Sequence, residues 1–292
     1  MTPLRKRMLQ DMEIRNFSRN TQLSYLQQVS SFARYFQRSP EVLGPDEVRA
    51  YQVYATNERK LAPGTLSIIA SALRFLYKVT LKRDWVDAEI PLPKTPFKLP
   101  VILSPEEVDQ FLASVGSLKH RTILTTAYAG GLRVSEVTRL KLTDIDSQRM
   151  MLRVEQGKGQ KDRYVMLSPR LLETLRTYWR STRPTHWLFT GDSPRRPIGT
   201  SAVEQACQKA HRISRIKKPI TPHSLRHAFA THLLEDGTDV RRIQLLMGHR
   251  SLATTARYLK LATTTVCATR SPFDLLPRPE PIPAPPSPPA HF

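Results

Sequence analysis

The chain has 292 residues, 40% of them apolar, with 45 Lys and Arg against 25 Asp and Glu, a formal net charge of +20 and a pI near 10.4. That length accommodates two domains, each able to bury its own core, and the apolar content excludes a disordered chain. So basic a balance favours a polyanionic partner, because each Lys or Arg set on a phosphate releases condensed counterions. Nucleic acid is preferred to a membrane surface, since no long basic amphipathic segment stands out. The two cysteines, Cys207 and Cys267, form no CxxC and no paired framework, which suits a reducing compartment. Met1 to Arg15 lacks the apolar stretch of a signal peptide, and no apolar run is long enough to span a bilayer. A soluble cytoplasmic protein is expected.

Residues 1 to about 90 read as helical. Ser18 or Asn20 can cap a helix carrying Leu23, Leu26, Val29, Phe32, Ala33 and Phe36 at three- and four-residue spacing. A second helix should follow Gly44-Pro45-Asp46 through Val48, Tyr51 and Tyr54. A third should follow Pro63-Gly64, with Ile68, Ile69, Ala72, Leu73, Leu76 and Tyr77 on one face. Arg74, Lys78, Lys82 and Arg83 lie on or near its end and are candidates for DNA phosphate contact. Pro91, Pro93, Pro96 and Pro100 then deny the backbone its donors and mark a stiff linker. Ser104-Pro105-Glu106-Glu107 restarts the helical pattern with a capping serine and early acids, and helices are expected over about 104 to 115 and 119 to 130. The β signal is limited to Met150 through Leu167, where two short runs flank Gly157-Lys158-Gly159 as a hairpin. Helices resume at Pro169 and continue with breaks to about Ala262. From Ser271 to Phe292, nine of 22 residues are proline, so that segment is expected to stay out of any core. The domains are therefore placed at 1–92 (helical), 93–103 (linker) and 104–266, followed by a proline-rich, disordered tail at 267–292.

Four separated clusters carry chemistry. In Gly130-Gly131-Leu132-Arg133-Val134-Ser135-Glu136 the glycines allow a turn into a helix, and Glu136, three residues after Arg133, can hold its guanidinium. The hairpin presents Lys158 between two glycines. In Thr221-Pro222-His223-Ser224-Leu225-Arg226-His227 a capped helix sets His223 and Arg226 on one face, where both can approach one phosphate. The His223 and His227 spacing also fits a zinc pair. No third ligand is positioned nearby, however, and Arg226 would repel a cation, so no metal is expected; His227 and His232 read as structural. In Met247-Gly248-His249-Arg250-Ser251, Gly248 ends a helix, Ser251 can cap the next, and Tyr258 falls two turns into that helix. Taken singly, these clusters read as a surface ion pair, a polar turn and a packing tyrosine.

Taken together, Arg133, Lys158, His223-x-x-Arg226, Gly248-His249 and Tyr258 resemble the signature of the tyrosine recombinase, or phage integrase, family, in its Xer-like or transposon-encoded branch. The resemblance covers about residues 5 to 262. The hairpin also offers Lys161, but the Gly-Lys-Gly context matches the family lysine at Lys158. The resemblance implies a mainly α fold with a small antiparallel sheet, a helical N-terminal core-binding domain and a recombinase catalytic domain. It implies site-specific cleavage and rejoining of double-stranded DNA through a 3′-phosphotyrosyl link to Tyr258. Arg133, Arg226 and His249 would hold the phosphate, His223 would act as base, Lys158 as acid, and Glu136 would orient Arg133. No metal, cofactor, ATP, membrane or small-molecule substrate is implied, and four protomers would assemble on DNA. The competing readings are a type IB topoisomerase-like enzyme that relaxes DNA and a DNA-binding accessory protein without catalysis.

Overall fold

The computed structural model describes residues 2–94, 101–155, 162–249, 251 and 255. The chain divides into two compact units, Met1–Lys98 and Leu99–Phe292.

The first unit is helical throughout its regular elements: α1 (Pro3–Ile14), α2 (Arg19–Phe36), α3 (Pro45–Val53), α4 (Pro63–Arg74) and the short α5 (Val86–Glu89). Of the two caps the sequence offered for α2, Ser18 serves, its hydroxyl accepting from the Thr21 amide at 3.3 Å. Leu26, Val29 and Phe32 of its apolar stripe are buried, whereas Leu23 remains exposed. On α4, Ile69, Ala72 and Leu73 are buried and Ile68 is exposed. Both α3 and α4 run on as wider π-helical turns, Tyr54–Glu58 and Phe75–Thr80, and the second keeps Leu76 and Tyr77 buried. Phe32 meets Phe36 and Tyr51 edge-on with ring centroids 5.5 and 5.2 Å apart, and the Tyr77 hydroxyl donates to the Pro40 carbonyl at 3.0 Å.

The second unit begins with α6 (Pro105–Ala113), followed by α7 (Leu118–Ala129) and the single-turn α8 (Val134–Val137). Ser104 starts α6 with both halves of a capping box: the Glu107 amide donates to its hydroxyl at 3.3 Å, and its own amide donates to the Glu107 carboxylate at 2.8 Å. Strands β1 (Ile145–Asp146), β2 (Met151–Val154) and β3 (Arg163–Met166) form an antiparallel sheet in that order. Leu152 pairs with Val165 and Val154 with Arg163. The sequence had confined β structure to Met150–Leu167, so β1 is an addition. At two residues it is too short for any alternation to show. The turn of the hairpin, including Lys158 and Lys161, lies outside the described residues, as do residues 95–100 of the proline-rich linker, Tyr258 and the tail.

Helices α9 (Pro169–Thr182), α10 (Thr200–Ser214), α11 (Pro222–Glu235) and α12 (Val240–Met247) complete the unit. One core joins Ile123, Leu124 and Ala127 of α7, Leu171 and Leu175 of α9, Leu225 and Ala228 of α11, and Leu152, Val154 and Val165 of the sheet. Each Leu, Ile and Val among them contributes about 1.5–3 kcal/mol by leaving water. A smaller cluster of Phe229, Ala230, Ile243 and Met247 seats α12 on α11. Cys207 is buried in the main core, where burial and then Glu204 push its thiol up to about 12. Among the described residues no helix is long and apolar enough to cross a membrane.

Candidate active site

The site is built where the end of α7, the start of α11 and the end of α12 meet. Gly130 closes α7, and Gly131 turns the chain with φ +58°, a conformation that favours glycine. A Cβ on Gly131 would lie 2.3 Å from the Phe229 ring, so side-chain bulk is refused there as well. This tight turn delivers Arg133 to the cap of α8. The Arg133 amide donates to Glu136 Oε2 at 2.8 Å and its Nη1 donates to Oε1 at 2.6 Å. Glu136 therefore does hold the Arg133 guanidinium, as the i,i+3 spacing suggested.

Arg226 comes from the second turn of α11, which Thr221 caps by accepting from the Ser224 amide at 3.1 Å. Its side chain is 1% exposed. Nη1 donates to the Gly131 carbonyl, Nη2 donates to the Met247 carbonyl, and Nη1 also stands 3.7 Å from Glu136 Oε2. The Met247 carbonyl is at the end of α12, where the backbone has acceptors to spare, and the Gly131 carbonyl lies in the turn that follows α7. Burial of a guanidinium on this scale is tolerated only with such partners.

Helix α12 ends at Gly248 with φ +61°, and the following residue, His249, turns back onto Arg226. His249 Nε2 lies 3.3 Å from Arg226 Nη2 and Nδ1 lies 2.8 Å from the Thr255 hydroxyl. A guanidinium can only donate, so in this arrangement Nε2 accepts and the ring proton sits on Nδ1, directed at Thr255. His223 is exposed at the start of α11, with its ring edge-on to His227 at 4.4 Å between centroids. His232 is held by the Tyr128 hydroxyl at Nδ1 (2.9 Å) and the Leu103 carbonyl at Nε2 (2.8 Å), a structural placement. Among the described residues, no group of three or more His, Cys, Asp or Glu side chains is placed to hold a metal ion.

The structure thus brings together Arg133, Glu136, Arg226 and His249. It adds one residue that the sequence reading passed over. Arg163 on β3 donates from Nη1 to Glu136 Oε1 at 2.9 Å and from Nη2 to Oε2 at 2.7 Å. Its signal was present in the strand alternation, since Arg163 shares a face with buried Val165. Burial by itself would raise the Glu136 carboxyl, but the hydrogen bonds and charge of Arg163, with those of Arg133, bring it down to about 2. In the first unit, Arg74 and Lys78 both pair with Asp87, the Arg74 contact at 3.0 Å, and Arg83 donates to the Glu41 carbonyl at 3.4 Å. Lys82 is exposed in a left-handed turn at φ +52°. All four sit at the surface of that unit or near it, and the ion pairs with Asp87 must be shared or given up if Arg74 and Lys78 are to meet a phosphate.

Residues 102–265 match the model of the phage integrase family, and residues 4–87 match the phage integrase N-terminal SAM-like domain. The chain belongs to the phage integrase family of tyrosine recombinases. It is 67% identical to the integrase/recombinase y4qK of Sinorhizobium fredii over all of this chain and 95% of that one. It is 33% identical to the tyrosine recombinase XerD of Lacticaseibacillus casei, covering 87% of this chain and 92% of the relative. A solved lambda integrase dimer on a core site shares the fold of this recombinase, with a TM-score of 0.72 at 21% identity over 87% of this chain and 93% of that one.

Proposed function

We propose that this tyrosine recombinase cuts and rejoins double-stranded DNA at a specific site through a 3′-phosphotyrosyl intermediate on Tyr258, with no metal or ATP. The observation that carries the reading is the convergence of Arg133 and Arg226 on one carboxylate, with His249 against Arg226. Attack on a phosphodiester adds negative charge to the non-bridging oxygens. Two guanidiniums held in place before the substrate arrives stabilise that charge with little reorganisation. Arg133 is the more exposed of the two, its side chain 23% exposed, whereas Arg226 is fixed in depth. A planar fork suits a phosphate better than a point charge does. A phosphate oxygen arriving at Arg226 Nη2 takes the place now held by His249 Nε2, and a ring protonated on that nitrogen donates to the same oxygen.

Tyr258 is the nucleophile and conserves the energy of the broken ester in the phosphotyrosine. His223 serves as base toward the Tyr258 hydroxyl, and Lys158 as acid toward the leaving 5′ oxygen; Glu136 orients Arg133. Support for Lys158 and Tyr258 comes from their sequence contexts within the family-matched segment. The domain limits remain 1–92, 93–103, 104–266 and 267–292, with the first and third both engaging the DNA. Arg74, Lys78, Lys82 and Arg83 contact its backbone. Exchange between two duplexes requires four strand cleavages, so four protomers act together on DNA, in the cytoplasm.

The experiment is a suicide substrate incubated with wild-type protein and with Tyr258→Phe, resolved on a denaturing gel. The wild type should form a covalent adduct, and the variant should bind the duplex and form none. Adducts in the variant would remove Tyr258 from the reaction.

A further inference from the structure

Arg163 is the basic residue that strand β3 contributes to the site. It is 10% exposed, and three of its nitrogens are committed within the protein: Nη1 and Nη2 to the two oxygens of Glu136, and Nε to the Leu246 carbonyl at 2.7 Å. The stem of the same side chain lies against the turn that leads into His249. A Cβ added to Gly248 would come within 3.0 Å of Arg163 Cδ and 3.2 Å of its Nη1. One side chain from the sheet therefore touches the carboxylate that holds Arg133 and the helix end that supports Arg226 through Met247 and presents His249.

The charge balance gives this placement a consequence. Glu136 alone would neutralise whichever guanidinium it held, and Arg133 is in contact with it at 2.6 Å. With Arg163 forming the two-pronged pair from β3, the carboxylate is matched, and the charges of Arg133 and Arg226 are left over for a dianionic transition state. We propose that Arg163 is a positioning residue of the recombination site, which satisfies Glu136 from the sheet side so that Arg133 and Arg226 keep their charge for the scissile phosphate, and which braces the turn that carries His249. This rests on the reading that Arg133 and Arg226 hold that phosphate.

The test uses the full-length protein, single-turnover cleavage of a suicide duplex, and duplex affinity measured separately. The proteins compared are wild type, Arg163→Met, Arg163→Lys, Glu136→Gln and the double variant Arg163→Met with Glu136→Gln. Removal of an electrostatic support of this kind should slow cleavage by about 100-fold in Arg163→Met, with duplex affinity changed by less than about threefold, because Arg163 does not itself meet the backbone phosphates. The double variant, which no longer strands a carboxylate beside Arg133 and Arg226, should regain roughly tenfold over Arg163→Met. A residue that only supported the fold would show no such recovery, and additive losses would overturn the proposal. Arg163→Lys keeps the charge without the fork, so it should be folded and slowed by at least about tenfold. If Arg163→Met fails to fold by circular dichroism, this variant decides: a wild-type rate overturns the proposal and a slowed rate supports it. Absence of any adduct in the wild type would instead defeat the reading of Tyr258 and the phosphate clamp, so the two failures are distinguishable.

Discussion

At Glu136 a single carboxylate receives the Arg133 amide, the Arg133 guanidinium and both prongs of Arg163. Its carboxyl sits at about 2, below the ordinary 4.5. A depressed acid stabilises the fold fully above its unfolded value, and that contribution fades as pH falls from about 4.5 toward 2, by on the order of 3 kcal/mol in all. Urea unfolding of wild type and Glu136→Gln at pH 6, 4 and 3 should therefore show a margin for the wild type that narrows with acid. A margin independent of pH would mean that the ion pairs add no stability. The sequence made part of this centre legible and hid the rest. Arg133 and Glu136 are three residues apart, so helical spacing alone suggests their pairing. Arg163 is 27 residues from Glu136 and reaches it only once the sheet has formed. The Arg226 partners at Gly131 and Met247 are backbone carbonyls, which no residue pattern announces.

Elements whose boundaries depend on local chemistry were read well. Ser18, Ser104 and Thr221 each stand where the sequence placed a cap, because a side chain satisfying amides two or three residues on is a local event. At α6 the Glu107 carboxylate also takes the Lys218 ammonium at 2.6 Å, which ties the start of α6 to the segment before α11. Ser104→Ala should accordingly cost about 1 kcal/mol, seen as a fall of roughly 2–4 °C in Tm, with cleavage unaffected once the protein is folded. An unchanged Tm would show that Glu107 alone secures this helix end. The π-helical ends of α3 and α4 and the two-residue strand β1 were not legible. A change from four to five residues per hydrogen-bonded turn leaves the spacing of apolar residues almost unaltered, and a two-residue strand has no period.

For the molecule as a whole, composition already pointed to nucleic acid, and the two-unit division appears in both the contact pattern and the family matches. The last 16 residues, 277–292, carry Arg278 against Glu280 and none of the residues proposed for the reaction. Their charge is close to balanced, so they should add little to DNA affinity. A protein ending at Leu276 should form adducts on a suicide substrate as fast as the full chain, with strand exchange between two duplexes assayed alongside. Equal adduct formation with weaker exchange would place the tail in assembly, whereas a large loss of adduct from a folded protein would show that the tail serves the cleavage step.

The turn at Gly131 sets an evolutionary constraint. Position 131 is closed to side chains twice over, by a φ of +58° and by the Phe229 ring that fills the space a Cβ would need. Shrinking Phe229 relieves only the second obstacle, so no single compensating change reopens the position. Gly64 and Gly116 have nothing within 4 Å of where a Cβ would stand and no positive φ. In a saturation library selected for recombination, glycine alone should survive at 131, while 64 and 116 return many residue types. Recovery of alanine or serine at 131 with unreduced activity would show that the backbone can relax around Arg133 without disturbing it.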